Sequence, residues 1–295
     1  MTTQGHPRNE TLRVLFERAS CRNFSEKPVP PDVLRQVLEA GVHAPTGGNL
    51  QPYSIIKIED DDTRTELARL CGEQSFMAKA PVHLLFCIDW HRLRRWAKLE
   101  VAPYTSTSAY RNFWISLQDV VLCAQNIATA ADSLGMSSVY IGMVYECLYE
   151  LREMFALPDG VYPVVLLCLG YPARSLQPAR KLGVDVVVHE GKYHELSDEQ
   201  LVEAFNEKYA NRQRQINDER LKKVFDVCSE VHGEKFANRC IDRIKENGYI
   251  SAAQTYFALH YCANTLPLGN EKFLKTMEDF GFDWFKDFKP TGQEP

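Results

Sequence analysis

Three polar side chains near the start of the chain are suited to hold a phosphate group. Arg18 and Arg22 flank Ser20 in the stretch E-R-A-S-C-R-N-F. A guanidinium group presents a planar fork of N–H donors, and a serine hydroxyl adds a donor from another direction. On its own, such spacing is more often a solvated surface stretch. The cluster therefore predicts an anion site only in combination with other features.

A glycine-containing polar loop follows a short predicted helix. Residues 44–52 read A-P-T-G-G-N-L-Q-P. Because Gly47 and Gly48 lack a Cβ atom, the backbone can come close to a flat ligand at this place. An ordinary turn is the alternative for this stretch alone.

The residues around these two stretches predict a framework of helices and strands. Pro30 and Pro31 begin a helix that Pro45 ends. Residues 81–88 are almost all apolar, as in a central buried strand, and residues 112–136 form a long helix with hardly any polar face, which favours burial. The other predicted strands are 53–58, 137–143 and 164–169, with helices over 60–71 and 144–155.

Four motifs in this order resemble the nitroreductase family of FMN-dependent oxidoreductases. The first two are R-x-S-x-R-x-F and A-P-T-x-x-N-x-Q-P-Y. The third is the apolar helix containing D-V-V-L-C-A-Q-N-I-A, and the fourth is L-P-x-x-x-x-P-V-x-x-L-x-x-G-Y-P. The resemblance covers about residues 11–195 of the 295.

The resemblance implies an α+β fold with a mostly antiparallel central sheet, in an intertwined homodimer with FMN at the interface. It implies that the first cluster binds the flavin phosphate and that the A-P-T loop faces the flavin of the partner subunit. Backbone N–H groups at the end of the stretch 137–143 would point at flavin N5 and its neighbours, although Gly142-Met143 departs from the commonest pattern there. A basic residue after G-Y-P would reach the phosphate, with Arg180 preferred to Lys181. The residues expected to bind FMN are Arg18, Ser20, Arg22, Pro45, Thr46, Gly47, Asn49, Gln51, Tyr140, Ile141, Gly142, Met143, Arg180 and Lys181.

The chain is expected to divide into an FMN-binding domain, residues 1–196, and a helical C-terminal extension, residues 197–295, that is not typical of the family. Helices are predicted over 199–216, 218–231, 234–246 and 251–264. Ser197 with Gln200 three residues on predicts a capping box. The final aromatic run F-G-F-D-W-F-K-D-F is expected to dock on a surface, and the extension to tune access to the flavin.

The composition of the chain argues against several other classes of protein. The net charge of -5 argues against an overall basic surface for binding nucleic acid. The basic stretch 91–98 could bind nucleic acid, but a solvent-exposed helix is the favoured prediction. No segment is long and apolar enough to span a bilayer or serve as a signal peptide. The nine cysteines form no C-x-x-C pair, which favours a reducing, cytoplasmic compartment with neither a disulfide framework nor a metal site.

The expected activity is that of an FMN-dependent NAD(P)H oxidoreductase. NADH or NADPH would pass a hydride to flavin N5, and a nitroaromatic, quinone or similar small-molecule acceptor would take it in turn, in a ping-pong order without a protein nucleophile. One alternative is a specialised family member that performs flavin breakdown, reductive dehalogenation or dehydrogenation. Another is a flavin-binding sensor or interaction protein with little turnover.

Overall fold

The computed structural model describes residues 9–210, 212–290 and 292. The chain separates into two compact units. Of the described residues, the core unit contains those from 9 to 178 and those from 271 onward, and the helical unit contains those from 179 to 270. By this division the helical unit begins before residue 197, and the aromatic end of the chain belongs to the core unit.

A four-stranded antiparallel sheet forms the centre of the core unit, which confirms the predicted α+β class. Its strands are β1 (Tyr53–Ile58), β2 (Val82–Asp89), β3 (Ser137–Ile141) and β4 (Val161–Gly170), in the order β1-β2-β4-β3. Every residue of β2 is buried, as its apolar sequence requires of a central strand. In register, Leu85 lies opposite Leu166, and Val139 opposite Cys168.

Seven helices of the described chain belong with this sheet. They are α1 (Glu10–Glu17), α2 (Pro31–Val42), α3 (Asp61–Leu70), α4 (Ser75–Lys79), α5 (Trp90–Leu99), α6 (Tyr110–Ser133) and α7 (Leu148–Met154). Helix α6 contacts all four strands of the sheet. The long α6 buries Val120, Ala124 and Ile127 completely, which explains its lack of a polar face. Helix α2 crosses α6 very closely: a Cβ atom on Gly41 would lie 2.4 Å from Ile127 Cγ1. Only glycine permits that approach.

The helical unit has its own small core. It contains α8 (Val184–Val187), α9 (Asp198–Lys208), α10 (Asp218–His232), α11 (Glu234–Asn247), α12 (Ala252–Gln254) and a π-helical segment, Thr255–His260. Val224, Ile244 and Ile250 are fully buried between these elements. The predicted capping box of α9 is confirmed: the Gln200 amide donates to Ser197 Oγ at 3.3 Å, and the Ser197 amide to Gln200 Oε1 at 3.0 Å. The predicted helix 199–216 ends earlier, at Lys208.

The chain then returns to the core unit through α13 (Asn270–Asp279) and the aromatic segment after it. Phe280 and Phe282 are almost completely buried, and both rings meet Tyr162 of β4 edge-on. The Gly160 amide donates to the Phe280 carbonyl at 2.8 Å. The aromatic end is therefore part of the core itself, more than a surface attachment.

No helix among the described residues combines the length and apolar character needed to cross a bilayer.

Candidate functional site

The segment after α1 runs alongside the outer edge of β3. The Cys21 amide donates to the Ser138 carbonyl at 2.9 Å, and Ser20 forms a parallel bridge with Ser138. Cys21 is fully buried, whereas Ser20 and Arg22 on either side of it are exposed. Because side chains alternate in an extended chain, Ser20 and Arg22 lie on the same outward face. The local fold therefore presents two of the expected phosphate ligands together.

Arg18 precedes them and turns towards the C-terminal end of α6. Its Nε lies 3.8 Å from Asp132 Oδ2, and its guanidinium carbon lies 5.8 Å from the centre of the Tyr140 ring. Both Nε and Nη2 of Arg18 are buried, yet within the described part of the chain neither finds a hydrogen-bond acceptor. Buried N–H donors are normally satisfied, so two unpaired guanidinium donors fit an anionic group such as a phosphate.

A cleft of about 400 Å³ adjoins Arg18. Helix α1 forms one wall, the junction of α6 and β3 a second, and the chain after β4 a third. Its polar lining residues are Arg13, Glu17, Arg18, Asp132, Ser137, Ser175 and Gln177. Ser20 and Arg22, which follow Arg18 along the edge of β3, are not among the residues that line this cleft.

The A-P-T loop between α2 and β1 is held against α6 by its backbone. The Gly47 amide donates to Asp119 Oδ1 at 3.0 Å, and a Cβ atom on Gly47 would lie 2.6 Å from Ile115 Cγ2. The Gln51 amide donates to the Thr46 hydroxyl at 3.2 Å. Pro45, Gly47 and Asn49 are exposed. The loop is therefore held by α6 on one side and is open to solvent on the other.

The end of β3 supplies the third group of predicted residues. Ile141 is buried and Tyr140 half-buried, and burial raises the pKa of the Tyr140 hydroxyl to about 12. Gly142 and Met143 follow β3 in an exposed turn, and a Cβ atom on Gly142 would meet no described atom within 4 Å. A flat ligand can therefore approach this backbone without a steric obstacle.

The loop and the arginine cluster meet different parts of α6. Asp119, which holds Gly47, lies in the N-terminal half of the helix, whereas Asp132, beside Arg18, is next to its last residue. At 1.5 Å per residue, the two aspartates are roughly 20 Å apart along the helix axis. Within one chain, the A-P-T loop and the arginine cluster are therefore well separated.

Arg180 and Lys181 lie in the helical unit, and both are exposed. Arg180 Nη1 donates to the Glu207 carbonyl at 3.2 Å, at the C-terminal end of α9. Their role in phosphate binding stays a prediction.

Two aspartates that support the motifs were missed by the sequence analysis. Burial raises the pKa of Asp119 above its ordinary value, against the opposing effect of the Gly47 amide. Burial also raises the pKa of Asp132, to about 6, although Arg18 opposes the shift. The available signal was an acidic residue on the buried face of an otherwise apolar helix, where a carboxylate needs a partner.

Comparison with known protein families identifies the family of this chain. The family model described as "Nitroreductase family" matches residues 15–171, which is more than half of the chain. The chain belongs to the nitroreductase family.

Individual relatives are similar to this chain over a longer stretch than the family model. The oxygen-insensitive NADPH nitroreductase of Salmonella typhimurium is 32% identical over 200 residues, covering 68% of this chain and 81% of that protein. The solved structure of the NADPH:FMN oxidoreductase from Vibrio harveyi in complex with NAD+ matches with a TM-score of 0.64 and 29% identity, over 68% of this chain and 86% of that one.

A solved structure described as a hypothetical oxidoreductase from Bacillus subtilis matches over 93% of this chain and 98% of its own, with a TM-score of 0.71 and 24% identity. At that identity the match supports only a similar fold. Its coverage nevertheless reaches well into the segment after residue 196, which the sequence resemblance did not cover.

Proposed function

We propose that this protein is an FMN-dependent oxidoreductase that passes reducing equivalents from NADH or NADPH to a small acceptor, a nitroaromatic, a quinone or a similar molecule. The observation that carries the proposal is the pair of buried, unpaired guanidinium donors of Arg18 beside exposed Ser20 and Arg22. Such a cluster suits the phosphate of FMN. The names of the relatives, an NADPH nitroreductase and an NADPH:FMN oxidoreductase, support the same cofactors.

Different residues of this chain would bind different parts of FMN. Arg18, Ser20 and Arg22 bind the phosphate, with Arg180 or Lys181 as a further cation. Backbone N–H groups of the exposed turn at Gly142 and Met143, with Tyr140 and Ile141 before them, would hold the edge of the flavin ring. When bound, FMN supplies hydride transfer at N5, first from the nicotinamide and then to the acceptor, in a ping-pong order.

The same chemistry requires a second subunit. The loop of Pro45, Thr46, Gly47, Asn49 and Gln51 meets α6 roughly 20 Å from Asp132 and the arginine cluster of its own chain. In a homodimer it faces the flavin held by the other subunit. An exposed apolar face of α6 supports this arrangement, because Trp114, Val121 and Leu122 are each about half exposed on a helix that buries Val120, Ala124 and Ile127 completely. These positions are spaced as one helical stripe.

The test is the visible spectrum of the purified protein, followed by mass spectrometry of the released ligand and by addition of NADH or NADPH. We expect a yellow protein that releases FMN and is bleached by at least one of the two nucleotides. Release of FAD, or no flavin even after reconstitution with FMN, would contradict the proposed site. Retained FMN that neither nucleotide bleaches would instead indicate the sensor or interaction protein.

A further inference from the structure

Arg18 and Asp132 form a buried ion pair that is poorly satisfied. Only about a tenth of the Asp132 side chain and a quarter of the Arg18 side chain are exposed. At 3.8 Å the pair is too long for a hydrogen bond, and Asp132 Oδ2 has no hydrogen-bond partner among the described residues. A buried charge pair normally needs short hydrogen bonds to offset its loss of hydration.

The same guanidinium group carries the donors assigned above to the flavin phosphate. A carboxylate in contact range lowers the positive potential that Arg18 offers to any other anion. It also repels a phosphate directly, because both groups are negative. Asp132 therefore has two unfavourable effects on an anion bound at Arg18, and both depend on its being ionised.

Building on the proposed FMN site, we propose that Asp132 is a positioning residue that competes with the flavin phosphate for Arg18, so that protonation of Asp132 strengthens FMN binding. This competition affects the affinity of the site for FMN and the pH dependence of that affinity. Asp132 itself need not touch the cofactor.

The groups around Asp132 are consistent with titration near neutral pH. Arg18 faces it from the segment after α1, Arg13 and Glu17 line the same cleft from α1, and the Tyr140 ring lies under Arg18 from β3. Arg13 is paired with Glu10 and Glu17, which leaves Arg18 as the cation nearest to Asp132. Burial raises the pKa of Asp132 to about 6, so its charge changes between about pH 5 and 7.

The experiment measures the dissociation constant of FMN between pH 5 and 8 for the wild type and for Asp132→Asn. At pH 8, where Asp132 is ionised, we expect the variant to bind FMN about tenfold more tightly, equivalent to a coupling of one pKa unit. The ratio should fall towards one at pH 5, where the wild-type carboxyl is protonated. Comparison at each pH cancels the titration of the flavin phosphate itself.

Two controls identify the cause. Riboflavin, which lacks the phosphate, should bind both proteins equally. In an Arg18→Gln background, Asp132→Asn should raise FMN affinity at pH 8 by less than it does in the wild type, because only the direct repulsion between the carboxylate and the phosphate remains. Asp132→Ser, which also removes the charge, replaces Asp132→Asn if that variant does not fold.

Weaker FMN binding by the charge-removing variant, or an unchanged constant at every pH, overturns this inference. If FMN binding is sensitive to Arg22→Ala at the same time, the proposed flavin site stands and only the role of Asp132 is wrong. A wild type that binds no FMN overturns both.

Discussion

The ring of Phe280 meets the ring of Tyr162 edge-on, with 5.4 Å between their centres and 73° between their planes. Phe280 follows α13 near the end of the chain, whereas Tyr162 lies in β4. Arg152 completes the contact, since its guanidinium carbon lies 5.0 Å from the centre of the Phe280 ring and it also donates to the Asp279 carbonyl. The aromatic end of the chain thus packs against both β4 and α7.

Phe280→Ala should destabilise the core unit strongly. Truncation of a fully buried phenylalanine leaves a cavity and costs roughly 3–5 kcal/mol of unfolding free energy. Urea unfolding followed by fluorescence measures the change. Phe288→Ala removes the same side chain from a position that is about half exposed, and we expect it to cost far less. Equal effects of the two variants would mean that the aromatic end is not part of the core.

Arg22→Ala should weaken FMN binding by about 10- to 150-fold, the loss expected for one charge-assisted hydrogen bond to a phosphate. Fluorescence titration of the apoprotein with FMN measures the dissociation constant. Arg35→Ala is the matched control, because Arg35 is exposed on α2 and is paired with Glu39. Unchanged flavin affinity in Arg22→Ala would identify this arginine as an ordinary surface residue.

Gly47→Ala should displace the A-P-T loop from α6. The added methyl group would lie 2.6 Å from Ile115 Cγ2, and overpacking of this kind typically costs about 1–3 kcal/mol. We expect lower FMN affinity together with the loss of stability. At Gly183 an added Cβ would meet no described atom within 4 Å, so Gly183→Ala is the control. Wild-type FMN affinity in Gly47→Ala would show that the position of the loop does not matter for the flavin.

Leu122→Asp should dissociate the proposed homodimer. Leu122 lies on the half-exposed stripe of α6, and a carboxylate buried there on association would lack a partner. Sedimentation velocity should give the mass of one chain for the variant and of two for the wild type, with loss of FMN on dissociation. Leu99→Asp, at the exposed end of α5, should remain dimeric. A wild-type monomer that holds FMN would refute the shared site.

Stability should fall in acid because of His83. This residue is fully buried in β2, its Nε2 lies 2.9 Å from the Met77 carbonyl, and burial lowers its pKa from 6.5 to about 4. The unfolded state binds the extra proton, so this contribution is present above pH 6.5 and is lost as pH falls through 4. At about 1.4 kcal/mol per pKa unit, the loss approaches about 3 kcal/mol. Urea unfolding between pH 4 and 7 measures the slope, which should be shallower in His83→Gln. Parallel slopes would exclude His83 as the cause.

Local patterns predicted the framework of the core unit well. The strand 53–58 has the predicted bounds, because β-branched residues are followed there by an acidic turn and a capped helix. The buried strand β2 and the long helix α6 differ from prediction by one to three residues at their ends. In these segments, hydrophobic periodicity and burial point to the same structure.

Contacts between residues far apart in the sequence could not be predicted from local patterns. The hydrogen bond from Gly47 to Asp119 joins residues 72 positions apart, and no local pattern specifies it. The docking of Phe280 was expected, but the surface that receives it is a strand more than a hundred residues earlier. Those relationships depend on how the elements pack, which a single sequence does not encode in its periodicity.

The path of the chain through its two units also determines an order of assembly. Among the described residues, the helical unit is contiguous in sequence, so all of it is synthesised before residues 280–282. The core unit cannot enclose Tyr162 until residues 280–282 have been synthesised as well. During translation, the unit whose chain begins first is therefore the last to be completed, and its unfinished aromatic surface is exposed for the time needed to make about a hundred residues, several seconds or more at 5–20 residues per second.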